Sequence, residues 1–135
     1  MALQYSVAVR NAKLDAVETT VGVSAVLKMF SGSPPANCAA ANSGTEIASM
    51  TLPSDWMAAA SSGTKAKAGT WEDTSANNAG TLGHFRLYAS DGTTCHAQGT
   101  ITATGGGGDM TVDNTSVTAG QAITVTGFTL TAGNA

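Results

Sequence analysis

Gly80-Thr-Leu-Gly-His-Phe-Arg-Leu-Tyr-Ala89 decides the reading of this chain. Phe85 and Leu87 alternate against Arg86, the period-2 pattern of a strand with one buried face. Ser90-Asp91-Gly92 follows, and Asp-Gly is a hairpin signal because glycine takes positive φ without steric cost. Thr93 to Thr104 returns as a Thr-rich strand. Gly105 to Gly108 then breaks the pattern before Asp109-Met-Thr-Val112, and Asp113-Asn114 marks another turn. In Gln121-Ala-Ile-Thr-Val-Thr-Gly-Phe-Thr-Leu-Thr131, Ile123 and Val125 share a face. The alternation slips at Gly127, and a β-bulge there puts Phe128 and Leu130 back on the side of Ile123 and Val125, curving the sheet around its core.

Toward the N-terminus the same signals recur. Ser24 to Phe30 reads as a strand ended by Ser31-Gly-Ser-Pro-Pro35, since consecutive prolines remove donors and fix φ. Thr45 to Leu52 is a second strand, Pro53 to Trp56 a turn or one turn of helix reaching Ala60, Lys65 to Trp71 a further strand, and Glu72 to Gly80 a polar loop. Leu3 to Thr19 carries helical spacing, with Leu3, Tyr5, Val7, Leu14 and Val17 near one stripe, Arg10, Lys13, Asp15 and Glu18 mostly off it, and Gly22 as a stop. A helix this short needs a surface to lie on, either its own sheet or a neighbouring subunit. The expected fold is mainly β, a jelly-roll-like antiparallel β-sandwich of seven or eight short strands with one N-terminal helix. Residues 1–22 form a helical arm and residues 23–135 the sandwich domain, together one domain by length.

Only 11% of the 135 residues are charged, against about 25% in typical soluble domains. A hydroxyl-rich, charge-poor surface suits a protein covered by partners. The net charge of −3 and pI near 5.0 leave nothing to neutralise phosphates, which argues against nucleic acid as a partner. No apolar run approaches the roughly 18 residues of a membrane helix. The N-terminal residues lack the basic-then-apolar layout of a signal peptide, an expectation of cytoplasmic synthesis.

Catalytic chemistry finds no footing. His84 and His96 flank a hairpin with Asp91 at its tip, and two solvent-facing imidazoles are the ordinary reading. Cys95 beside His96 looks like a nucleophile and base, but neighbouring strand residues point to opposite faces. The glycine run lacks the Lys-Ser/Thr of a phosphate loop and reads as a flexible loop. No enzyme activity, cofactor or metal site is expected. Cys38 and Cys95 read either as free thiols or as a disulfide closing a loop of nearly sixty residues. Trp56 and Trp71, beside polar loops, read as core or as interface anchors.

The opening Ala2-Leu-Gln-Tyr-Ser-Val-Ala-Val-Arg-Asn-Ala-Lys-Leu-Asp-Ala16, the strand Val26-Leu-Lys-Met-Phe-Ser-Gly32, the segment Leu52-Pro-Ser-Asp-Trp-Met-Ala-Ala-Ala60 and the closing Gly127-Phe-Thr-Leu-Thr-Ala-Gly-Asn134 carry a resemblance. The chain resembles small structural proteins of tailed bacteriophages, and among them the cement or decoration proteins of the capsid. That resemblance implies a non-enzymatic virion protein on the outer capsid surface, with the major capsid protein as partner and a homodimer favoured. A neck, tail or fibre-base component is the rival, and a carbohydrate-binding sandwich using Trp56 or Trp71 as a platform a further alternative. Candidate interface residues are Leu3, Tyr5, Val7, Arg10, Leu14, Val17, Trp56 and Trp71.

Overall fold

The computed structural model describes residues 2–135. Among them α1 (Val7–Val21) precedes nine strands: β1 (Val26–Ser31), β2 (Glu46–Thr51), β3 (Thr64–Ala66), β4 (Glu72–Asp73), β5 (Gly80–Tyr88), β6 (Cys95–Ala103), β7 (Met110–Val112), β8 (Ser116–Val117) and β9 (Ile123–Thr131). The chain is mainly β, and its open mixed sheet runs β2-β1-β5-β6-β7-β9-β3, with β4 paired to β9 and β8 to β5. Phe85 of β5 and Phe128 of β9 nevertheless meet edge to face, centroids 5.6 Å apart. Two strands separate them in the ladder, so the sheet bends over on itself and encloses the core. Trp71 continues this aromatic run, 5.6 Å from Phe128 and 6.0 Å from Trp56.

The hairpin forms as its sequence dictates. Gly92 sits at φ 71°, and the Asp91 carboxylate accepts from the Thr93 and Thr94 amides and the Thr94 hydroxyl. These bonds, the Thr94 hydroxyl foremost, hold its pKa well below the usual carboxylate range. The bulge in β9 is present too. Gly127 opposes Thr111 but Val125 opposes Val112, which leaves Thr126 as the extra residue. Its hydroxyl bonds those of Thr104 and Thr111 at 2.7 and 2.9 Å. Ile123, Val125 and Phe128 are buried and Leu130 is half-buried, all contributing to the core.

One ladder departs from the antiparallel expectation, because β6 and β7 are parallel. Six residues join them, where parallel neighbours usually need about a dozen or more. The glycine run makes this short return possible. Gly105 and Gly107 take φ of 85° and 82°. A Cβ on Gly106 or Gly108 would fall 2.7 or 2.9 Å from Thr102. All four glycines are therefore structural.

The helix is shorter than its spacing suggests. Ser6 is extended (φ −62°, ψ 162°) and caps the Val9 amide, so Leu3 and Tyr5 precede α1. Of the expected stripe only Leu14 is buried, with Val17 half-buried against the core. The attachment runs instead through polar side chains. Asn11 accepts from the Gly63 amide, Asp15 from Ala60 and Glu18 from Met57. Lys65, only 2% exposed, reaches Asp15 at 2.7 Å and Glu18 at 3.0 Å. α1 is thus attached to its own chain.

This ion triad makes α1 docking depend on pH. Asp15 lies below its ordinary 3.8, because Lys65 donates to it. Burial opposes the charge on Lys65, yet the bonds to Asp15 and Glu18 outweigh it and raise its pKa above 10.5. The Asp15 contribution is present above the ordinary carboxylate pKa and fades as pH falls through the lowered folded value. The Lys65 contribution is present below 10.5 and is lost as pH rises through the raised one. Amide exchange in α1 should stay slow across the neutral range and quicken in strong alkali. Protection unchanged well above pH 10.5 would show that the triad does not hold the helix.

Candidate functional site

β5 was expected to bury one face, and it buries both. Phe85 and Leu87 enter the core while His84, Arg86 and Tyr88 point to the other side, where residues 32–45 lie over them. Four side chains pin this loop. His84 Nδ1–H donates to Gly32 O at 2.8 Å, and the ring stacks on Phe30 at 5.1 Å. Gln98 donates to Pro35 O at 2.6 Å. Arg86 Nη2 donates to Cys38 O at 2.7 Å and, at 3.4 Å, to Asn37 O. Arg86 Nη1 and the Tyr88 hydroxyl converge on one acceptor, Asn42 Oδ1, at 2.5 and 2.7 Å.

Between this loop and the Asp91-Gly92 turn opens a cleft of about 340 Å³, with Arg86 and Tyr88 as its floor and Lys28, Asn42 and Thr93 among its walls. Cys38 and Cys95 also line it, both free thiols. The Cys95 thiol donates to Ala97 O at 3.5 Å, and burial foremost, with Cys95 nearby, pushes the Cys38 thiol up from its ordinary value. The pair named from the sequence is thus brought together in space. Burial likewise raises Tyr88.

A second feature is a vacant strand position. β7 has three residues, whereas β6 and β9, on either side of it, have nine each. Below Met110 the chain leaves through the glycine run, and β6 and β9 face each other across a groove of about 410 Å³ lined by Ala97, Gln98, Asp109, Phe128, Leu130 and Thr131. Thr100 turns its amide to the Asp109 carboxylate on this side, so Gln98, two residues back, presents its backbone here as well. Phe128 O accepts from Lys67 on the opposite edge of β9, which leaves Thr131 facing the groove. Gln98 pairs only with Arg86, and Thr131 only with Thr64. Ile101 and Phe128 both register with Met110, so Gln98 and Thr131, three residues further along each strand, stand at one level. Other edges are covered: Met57 and Ser61 bridge along β3, and Asn77 donates to Ile47 of β2.

A third surface lies at the start of α1. Leu3, Val7 and Val9 are exposed, at 66%, 48% and 42%. Tyr5 is half-buried, its amide bonded to Asn134 O at 2.6 Å and its ring under Lys13 Nζ at 4.5 Å. Arg10 is half-buried against Gly63.

Three of the expected interface residues are corrected by these positions. Trp56, Trp71 and Leu14 are buried in their own chain, at 0%, 1% and 6% exposure. Trp56 Nε1 donates to Gly22 O and Trp71 Nε1 to Ala68 O. With both ring systems and both indole N–H groups engaged, neither tryptophan offers a partner or a sugar a platform. His84 and His96 are separated, one buried under the loop and the other exposed beside α1. Among the described residues no three His, Cys, Asp or Glu side chains cluster as metal ligands, and no helix is long and apolar enough to cross a membrane. No family model, curated protein or solved structure matches this chain.

Proposed function

We propose that this protein is a non-enzymatic structural component of a tailed-phage virion, a cement or decoration protein bound to the outer surface of the major capsid shell. The observation that carries this reading is the vacant strand position between β6 and β9. Unpaired backbone groups on two facing edges are a template for an extended segment of another chain, which adds main-chain hydrogen bonds and buries alternate side chains. Here that segment belongs to the major capsid protein. The charge-poor surface supports the same reading, since it can be covered widely with few charges desolvated. The contact between Phe85 and Phe128 supports treating the folded-over sheet as the two leaves of a jelly-roll-like sandwich. A homodimer through the arm and first turn of α1 belongs to the proposal, because Leu3, Val7 and Val9 are exposed apolar side chains there.

Thr131→Pro tests the contact. It removes an amide that faces the groove and fills the position with a ring, while the bonds of β9 to β3 lie on the other edge. The variant should keep its melting temperature and lose co-sedimentation with heads stripped of this protein. Stripped heads should also release DNA at lower temperature than decorated ones. Undiminished binding by Thr131→Pro would remove the groove as the contact. Equal heat resistance of stripped and decorated heads would remove the cement role and favour the neck or tail rival.

A further inference from the structure

Arg86 is 2% exposed and has no carboxylate partner among the described residues. A buried cation is stable where an opposite charge accompanies it, and costly where none does. No Asp or Glu lines its cleft. Of the nearby acids, Asp91 is committed to its own turn, and Glu46 lies at 3.6 Å from Lys28 on the cleft wall rather than at Arg86. The remaining ionisable acids among the lining residues with a resolved shift, Cys38 and Tyr88, are both pushed up by burial and stay neutral near pH 7. Arg86 Nε–H is buried without an acceptor. A second cation, Lys28, stands on the cleft wall with its side chain 26% exposed, its Nζ 5.3 Å from the Tyr88 ring centre.

The donors are also aimed. Arg86 Nη1 and the Tyr88 hydroxyl converge on a single oxygen, Asn42 Oδ1, the arrangement one oxygen of an oxyanion takes between a guanidinium and a hydroxyl. Asn42 is a neutral acceptor on an exposed loop position, so it fills the place of an anion without supplying the charge. Turning it outward hands both donors to an incoming ligand.

We propose that the cleft between residues 32–45 and the Asp91-Gly92 turn binds a small oxyanion, a phosphate, sulfate or carboxylate, held by Arg86, Tyr88 and Lys28. The oxyanion supplies the missing counter-charge for Arg86 and draws loop and hairpin together. This site is on the opposite side of β5 from the core and does not depend on the virion role proposed above.

Thermal unfolding of the full chain, titrated with sodium phosphate and separately with sodium acetate against sodium chloride of equal ionic strength, tests it. Saturable stabilisation by at least one of the two, absent with chloride, is expected. Phosphate alone would identify a free or phospho-group ligand, and acetate alone a carboxylate such as a partner's Asp or Glu side chain. Lys28→Gln, on a partly exposed residue, should keep the fold and weaken the response roughly tenfold. Asn42→Ala, which vacates the shared oxygen, should bind more tightly than the parent chain. No saturable response to either anion, or an affinity unchanged by Lys28→Gln, would overturn the site.

Discussion

Trp71→Ala should destabilise the chain by about 4 kcal/mol, near the top of what one core substitution does. The indole is 1% exposed, packs between Trp56 and Phe128, and its N–H holds Ala68 O. Alanine leaves a cavity at the centre of the aromatic run and strands that carbonyl. Urea unfolding followed by tryptophan fluorescence measures the loss, with Trp56 as the remaining reporter. Lys67, whose Nζ lies 6.0 Å from the Trp71 ring centre, provides a control, since Lys67→Gln should change stability by well under 1 kcal/mol. A Trp71→Ala protein of full stability that failed only to bind a partner would return the ring to the surface and refute the core described here.

Oxidising Cys38 and Cys95 to a disulfide should raise stability by about 4 kcal/mol, because the bond closes a loop of nearly sixty residues and restricts the unfolded chain. For a domain of this size that is a rise in melting temperature of roughly 10–15 °C. The two thiols line the same cleft, and the bond forms wherever their Cα atoms come within about 7 Å. Its raised pKa keeps Cys38 protonated at neutral pH, so its reaction with a disulfide reagent should be slow there and quicken only above the ordinary thiol value of 9.0, as pH nears the raised one. The reduced fold should weaken over the same alkaline range, since the unfolded thiol loses its proton before the folded one. Mass analysis without reductant, paired with melting curves with and without it, reads both effects. Equal melting of the oxidised and reduced forms would show the bond to be strained or the thiols to be apart.

The features legible in the sequence are those set within a few residues. Alternation of Phe85 and Leu87, the Asp91-Gly92 turn and the slipped phase at Gly127 depend on φ preferences and on which side chains share a face, and all three appear where the sequence places them. The mainly β class follows from their sum. Features that needed a partner from far along the chain were not legible. Residues 32–45 cover the outer face of β5, so His84 and Arg86 are buried although local alternation marks that face as exposed. Helical spacing was read for apolar residues alone, whereas α1 docks through Asn11, Asp15 and Glu18 because the Gly63 amide and the Lys65 ammonium wait for them some fifty positions away. β4 has two residues, too few for any period. The glycine run reads locally as freedom, and only the parallel return to β7 turns it into a steric requirement against Thr102. Local backbone preference and the period of apolar residues thus determined the strands and turns. Pairing, burial of charge, the cleft and the vacant strand position were decided by tertiary structure, since each depends on contacts between residues that no short window contains.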